Sequence, residues 1–200
     1  MKRAVLLSGG MDSAVALYWS LARGQCSAWW LDYGQRHKDR EREAARKIGA
    51  LAGVKVEERR VTIPWAPIQG DVIPGRNLIL LSVIGAQVAV RGGGDSVELV
   101  VGANAADLDG FPDCRPEFLA AAAKAIGSGL GCDVRIAAPF VVSTKAEILR
   151  EAKQFGAWDA VGASWTCYQG GSVPCGECSA CVKRAAAFAE VGEEDPWRPA

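Results

Sequence analysis

Two hundred residues suit a single domain with a full core, and half of them are apolar against 23% charged, which excludes a disordered chain, a collagen-like fibre and a coiled-coil rod. Lys plus Arg balance Asp plus Glu at 23 each, so the formal net charge is zero and the basic excess of a long nucleic-acid track is missing. The longest apolar stretch, Leu78 to Val90, is broken by Ser82 and Gln87, and the run Ala4 to Leu7 is too short for a signal-peptide core; a cytoplasmic protein with no membrane and no stable nucleic-acid partner is expected.

Arg3 to Leu7 reads as a buried strand and Ser8 to Met11 as a turn. Asp12 to Arg23 carries apolar residues at Val15, Leu17, Trp19 and Leu21, the pattern of a mostly buried helix, with Gly24 as its stop. Ala28 to Leu31 is the second strand. Asp39 to Ala52 gathers Ala44, Ala45, Ile48 and Leu51 on one helical face. Lys55 to Val61 is the third strand, and Thr62 to Arg76, with three prolines, is a long loop of the kind that tends to be functional. Asn77 to Arg91 returns as a helix ended by Gly92-Gly93-Gly94, and Val97 to Val101 is the fourth strand. A polar loop runs from Asn104 to Arg115, and Pro116 opens a helix to about Ile126. Val134 to Ala137 is the fifth strand, and Thr144-Lys145-Ala146-Glu147 is a capping box for a helix to Phe155.

Strands alternating with helices predict an α/β, Rossmann-like fold: a five-stranded parallel sheet with helices on both faces over residues 1–160. A small carboxyl-terminal metal-binding module over 161–200 is expected to pack on the same core. Ligands on such sheets bind beyond the carboxyl ends of the strands. That rule brings together the loops after the first, second and fourth strands.

Ser8-Gly9-Gly10-Met11-Asp12-Ser13 lies between a hydrophobic strand and a helix. Its glycines admit a ligand to the backbone, and its hydroxyls and free helix N–H groups suit phosphate oxygens. Asp12 would repel phosphate directly, which calls for Mg²⁺ between them. The loop lacks both the Walker A and the dinucleotide-binding patterns.

Asp32-Tyr33-Gly34-Gln35-Arg36-His37 follows the second strand and holds the single histidine, either a proton-transfer group or a solvated loop residue. Arg76 offers a planar fork for carboxylate or phosphate, with a surface salt bridge as the alternative, and Asn77 is read as a helix cap. In the loop after the fourth strand, Asp113 could accept from a guanine-like N–H and amino edge, and Arg115 could meet substrate charge. Cys114 is read as packing rather than as a nucleophile. Lys145, at a helix start near the same edge, could contact phosphate or stand in solvent.

Seven cysteines include a cluster, Cys167, Cys175, Cys178 and Cys181, with Gly170, Gly171, Pro174 and Gly176 supplying turns. Four thiolates suit a tetrahedral structural Zn²⁺, against an iron–sulfur cluster or disulfides as alternatives. Lys183 and Arg184 follow on a short helix. Trp19, Trp29 and Trp30 are assigned to the core, Trp165 to packing beneath the metal, and Trp65 either to packing or to stacking on a planar ligand.

The S-G-G-x-D-S loop resembles the pyrophosphate-loop superfamily, which holds ATP there and transfers AMP to a carboxylate or carbonyl oxygen. Gly34-Gln35-Arg36-His37, Pro74-Gly75-Arg76-Asn77, Pro112 to Phe118 and the cysteine tail, in that order, are similar to the QueC family of the queuosine pathway from about Ala4 to Phe188. The resemblance implies an adenine nucleotide alpha hydrolase-like fold and an ATP-dependent, carbon–nitrogen bond-forming ligase. Its substrates would be 7-carboxy-7-deazaguanine and ammonia, its product the nitrile, its metals Mg²⁺ and a four-cysteine Zn²⁺, and its assembly a homodimer. Two other enzymes share these features, a relative joining activated deazaguanine to another acceptor and a tRNA thiolation enzyme; a non-catalytic ATP sensor is the third alternative.

Overall fold

The computed structural model describes residues 1–63, 73–91 and 96–197. Trp65 and the Gly92–Gly94 stop lie outside them. Five parallel strands, β1 (Lys2–Leu6), β2 (Cys26–Asp32), β3 (Val56–Arg60), β4 (Ser96–Val100) and β5 (Asp133–Ala137), form one sheet in the order β3-β2-β1-β4-β5. Chain order reverses between β1 and β4, and such a switch point opens a crevice at the carboxyl ends of the strands.

Side chains alternate along each strand with period two. Val5, Leu7, Ala28, Trp30 and Val100 face α1 (Met11–Leu21) and α2 (Lys38–Leu51). Ala4, Trp29, Leu31, Val97, Leu99 and Val134 face α3 (Arg76–Val90) and α5 (Pro116–Leu130). Between β4 and α5 run a single turn, α4 (Asp107–Gly110), and a 3₁₀ turn at Pro112–Cys114. α5 runs to Leu130, a turn beyond the expected end, and stops at Gly131, where φ is +68° and the left-handed conformation suits glycine.

The Thr144 capping box opens α6 (Lys145–Gln154) as expected: the Thr144 hydroxyl accepts from Glu147 N–H at 3.2 Å, and Glu147 accepts from Thr144 N–H at 2.7 Å. Two further helices return to the α1 side. α7 (Trp158–Ala163) was not expected, having six residues and no side-chain cap. α8 (Ser179–Val191) has 13 residues and is no short helix. Ala187 and Phe188 of α8 join Leu17, Ile148 and Val161 in one core, so the residues after 160 pack on the sheet domain directly. No helix among the described residues is long and apolar enough to cross a membrane.

Candidate active site

The loops after β1, β2 and β4 enclose one cleft of about 470 Å³ at the switch point, with α3, α6 and α8 completing its walls. The turn after β1 is tight for a local reason. Gly9 has φ +86°, and a Cβ there would lie 2.4 Å from the carbonyl oxygen of Glu41. Ser13 Oγ donates to Gly10 O at 2.9 Å, and Ser8 Oγ donates to Ser13 Oγ at 3.1 Å. On the β4 side a Cβ on Gly102 would stand 2.6 Å from Ser13 N, so a glycine lets that strand end press against the start of α1. Ser8, Gly10, Met11, Asp12 and Ser13 line the cleft, whereas Gly9 is turned into the α2 backbone.

Asp12 is the most constrained group. Its Oδ2 accepts from Lys145 Nζ at 2.7 Å and from Asn104 Nδ2 at 2.8 Å, while its Oδ1 is buried with no partner among the described residues. A buried carboxylate oxygen left without a donor is costly unless something fills the place. The chemistry of that oxygen, in a cleft with a phosphate-type loop, fits a hard divalent cation. Asn104 also donates to Asp107 Oδ2 at 2.8 Å, tying two carboxylates into one cluster. Burial pushes the Asp107 carboxyl above its ordinary range, the Asn104 N–H draws it back, and the Asp12 charge pushes it up again. Lys145 is thus a cleft residue, paired with Asp12.

His37 Nε2 lies 3.1 Å from Glu41 Oε1, and its Nδ1 is buried with no partner among the described residues. Gln35 donates to the other Glu41 oxygen at 2.8 Å and to Leu31 O at 3.1 Å, which fixes the loop after β2. The His37 ring faces Tyr168 at 5.6 Å between centroids. Arg76 donates to Tyr33 Oη at 3.4 Å and to Asn77 Oδ1 at 3.3 Å; its Nε is buried with no partner among the described residues. Both His37 and Arg76 face the cleft.

Two candidates do not. Asp113 is buried behind the wall, and its Oδ2 accepts from Asn77 N–H at 2.9 Å. The residue that caps α3 is Gly75, which has no side chain to offer, so Asp113 supplies the missing acceptor from 36 positions away. Asn77 is therefore inside the helix rather than its cap. Arg115 Nε donates to Leu108 O at 2.9 Å and lies outside the cleft lining. Asp113→Ala would strand a buried N–H at a cost of about 1–3 kcal/mol. A melting temperature lowered by roughly 5 °C is expected; thermal melts beside substrate titration check it, and the substrate affinity should hold in whatever folds. Cys114 lines the cleft but its thiol is pushed up to about 12, chiefly by burial, so the packing assignment stands over the nucleophile.

The four clustered sulfurs all lie within 4.8 Å of one another. Backbone N–H groups point at them, from Cys175 to Cys167 Sγ at 3.3 Å and from Cys178 to Cys175 Sγ at 3.3 Å. The Cys178 N–H, with one from Glu177, holds the Cys175 thiol down to about 7, while burial pushes Cys181 up to about 12. Tetrahedral zinc thiolates at about 2.3 Å place sulfurs about 3.8 Å apart, and Cys175 and Cys181 Sγ stand 4.0 Å apart. The donor set fits one soft, tetrahedral ion. Trp165 packs against Cys167 and Cys181 as expected, and its backbone N–H donates to Gly9 O at 2.8 Å, joining the cysteine cluster to the Ser8–Ser13 loop.

Three residues of the site escaped the sequence reading: Glu41, Asn104 as a bridge, and Gln35 as the loop's anchor. Glu41 had a signal in its spacing, four residues after His37 on a helix. Asn104 had none, because its partner Asp12 is 92 positions away.

The family model described as "Queuosine biosynthesis protein QueC" matches residues 2–69 and 60–192. A protein of Chromobacterium violaceum named 7-cyano-7-deazaguanine synthase is 39% identical, with 98% of this chain and 92% of that protein covered. Proteins of the same name from Laribacter hongkongensis, at 38% identity with 96% and 92% covered, and from Thermoplasma acidophilum, at 34% with 98% and 90% covered, are also similar.

Proposed function

From the premise that the chain belongs to the QueC family and is an enzyme of queuosine biosynthesis, we propose that it makes 7-cyano-7-deazaguanine from 7-carboxy-7-deazaguanine, ammonia and two ATP. The observation that carries this reading is the unpartnered Asp12 Oδ1 beside the Ser8–Ser13 loop at the sheet's switch point. It is a place for a cation that accompanies phosphate.

A carboxylate repels nucleophiles and loses its oxygen badly, so the oxygen must first become a leaving group. The carboxylate oxygen attacks the α-phosphorus of ATP, the bond to the β-phosphate oxygen breaks, and pyrophosphate leaves. Ammonia adds to the acyl carbon, AMP departs with the oxygen, and one proton is released to leave an amide. The amide oxygen then attacks a second α-phosphorus; expulsion of AMP and loss of two protons give the nitrile. All three hydrogens of ammonia thus leave the nitrogen, and the cleft needs a proton acceptor.

His37 is the acceptor in this reading. With Nε2–H donated to Glu41, the lone pair sits on Nδ1, the atom without a partner. Ser8, Gly10, Met11 and Ser13 hold phosphate oxygens, together with the first N–H groups of α1. Asp12 holds Mg²⁺, which when bound screens the phosphate charge. Arg76 meets the substrate carboxylate with its guanidinium, whose Nε has no partner among the described residues. The four cysteines hold Zn²⁺, which organises the tail without entering the reaction.

One incubation tests the reading: protein, ATP, Mg²⁺, ammonium and 7-carboxy-7-deazaguanine, followed by mass spectrometry. Nitrile that requires both ATP and ammonium is expected. An amide or adenylate that accumulates without nitrile would transfer the reading to a relative serving another acceptor. An unchanged deazaguanine with folded, metal-loaded protein would overturn it.

A further inference from the structure

The Ser8–Ser13 loop contains no cation, and its one charged residue is the acid Asp12. The charge of a nucleotide's phosphates must therefore be met from other elements. Among the described residues, four Lys or Arg side chains line the cleft: Arg36, Arg76, Lys145 and Lys183. Lys145 is already spent on Asp12 at 2.7 Å. Arg36 and Arg76 come from the loop after β2 and the start of α3, and both make hydrogen bonds to neutral groups. Lys183 has no hydrogen bond or ion pair among the described residues, yet its charge reaches Asp107, in the Asp12–Asn104–Asp107 cluster.

The placement of Lys183 follows from α8. Cys181, Arg184 and Phe188 form the buried face of that helix. Arg184 is locked there by Ser164 Oγ at 2.7 Å, Val161 O at 3.1 Å and Asp195. With that face fixed, Ser179, Ala180 and Lys183, spaced i, i+1 and i+4, turn together toward the cleft, and all three line it.

We infer that the Lys183 ammonium is a ligand of the nucleotide's phosphate chain and takes up the charge that gathers on pyrophosphate as it leaves. This rests on the adenylating reading above and extends it: the metal-bearing segment is then a wall of the nucleotide site as well as a structural appendage.

Calorimetric titration of the metal-loaded full chain with Mg·ATP and, separately, with Mg·pyrophosphate tests this without turnover. Lys183→Ala should raise both dissociation constants about tenfold, the scale of one charge-assisted hydrogen bond at a partly open site. Lys183→Met, which keeps the aliphatic stem, should match it, and Lys183→Arg should restore most of the affinity. Because Lys183 is exposed, metal content and melting temperature should stay at the wild-type values. Wild-type affinities in both the Ala and the Met variants would overturn the assignment. A wild-type chain that binds neither Mg·ATP nor Mg·pyrophosphate would instead overturn the adenylating reading, and this inference with it.

Discussion

Asp12→Asn is expected to lower ATP-dependent turnover by roughly a thousandfold while leaving the fold intact. The substitution is close to isosteric. Asn can still accept from Lys145 and Asn104 with one oxygen, as Asp12 Oδ2 does at 2.7 and 2.8 Å. The other position, now an amide NH₂, is a donor and cannot ligate a cation, so the unpartnered Oδ1 is the atom the variant removes. Two electrostatic consequences oppose each other. Lys145 loses the charge of its partner in a largely buried pair, which destabilises. Asp107 loses a like charge that pushes its carboxyl up alongside burial, which stabilises. The net change in melting temperature should therefore be small. The sharper reading is ligand-induced stabilisation: Mg·ATP should raise the melting temperature of the wild type and leave Asp12→Asn almost unmoved. Turnover within tenfold of wild type would remove Asp12 from the cation site.

The order of strands and helices was legible because hydrophobic periodicity is local. Alternation at Trp29 and Trp30 puts one ring on each face of the sheet, and the Thr144–Glu147 pair marks a helix start within four residues. α7 was not legible, since a six-residue helix with a glycine and no side-chain cap has too little pattern to stand out from a loop. The length of α8 was hidden by its start inside the cysteine cluster. In the cleft, residue types were readable and partners were not. Asp113 has the right chemistry for a guanine edge, but a backbone N–H exposed by Gly75 claims it. That claim depends on a helix end brought in by tertiary packing, which no local spacing reports. Lys145 shows the converse: the sequence left it between phosphate and solvent, and the fold pairs it with the acid of the phosphate loop.

Replacing Cys178 with Ser should release the metal, lower the melting temperature by about 10 °C or more, and weaken Mg·ATP binding at least about tenfold, although none of the four metal-cluster cysteines lines the cleft. The coupling runs through residues 164–171. Cys167 is fully buried, and its carbonyl accepts from Trp165 Nε1 at 2.7 Å, while the Trp165 N–H holds Gly9 O of the phosphate loop at 2.8 Å. Four positions beyond Cys167, the Gly171 carbonyl accepts from Arg40 Nε of α2 at 2.9 Å, and Gly170 packs so closely on His37 that a Cβ there would lie 3.1 Å from its Cα. One segment thus steadies both the Ser8–Ser13 loop and the proton-transfer candidate, and a metal held by the four cysteines would fix its far end. Structural zinc sites carry apparent binding energies of about 10–16 kcal/mol in zinc-finger peptides, much of it folding energy. Losing even a few kcal/mol of that would shift a chain this size by the stated amount. Metal analysis, thermal melts and Mg·ATP titration on the same sample decide it. A metal-free variant with wild-type ATP affinity would show that the tail and the phosphate loop stand independently, and the Trp165–Gly9 bond would then be a contact without consequence for binding.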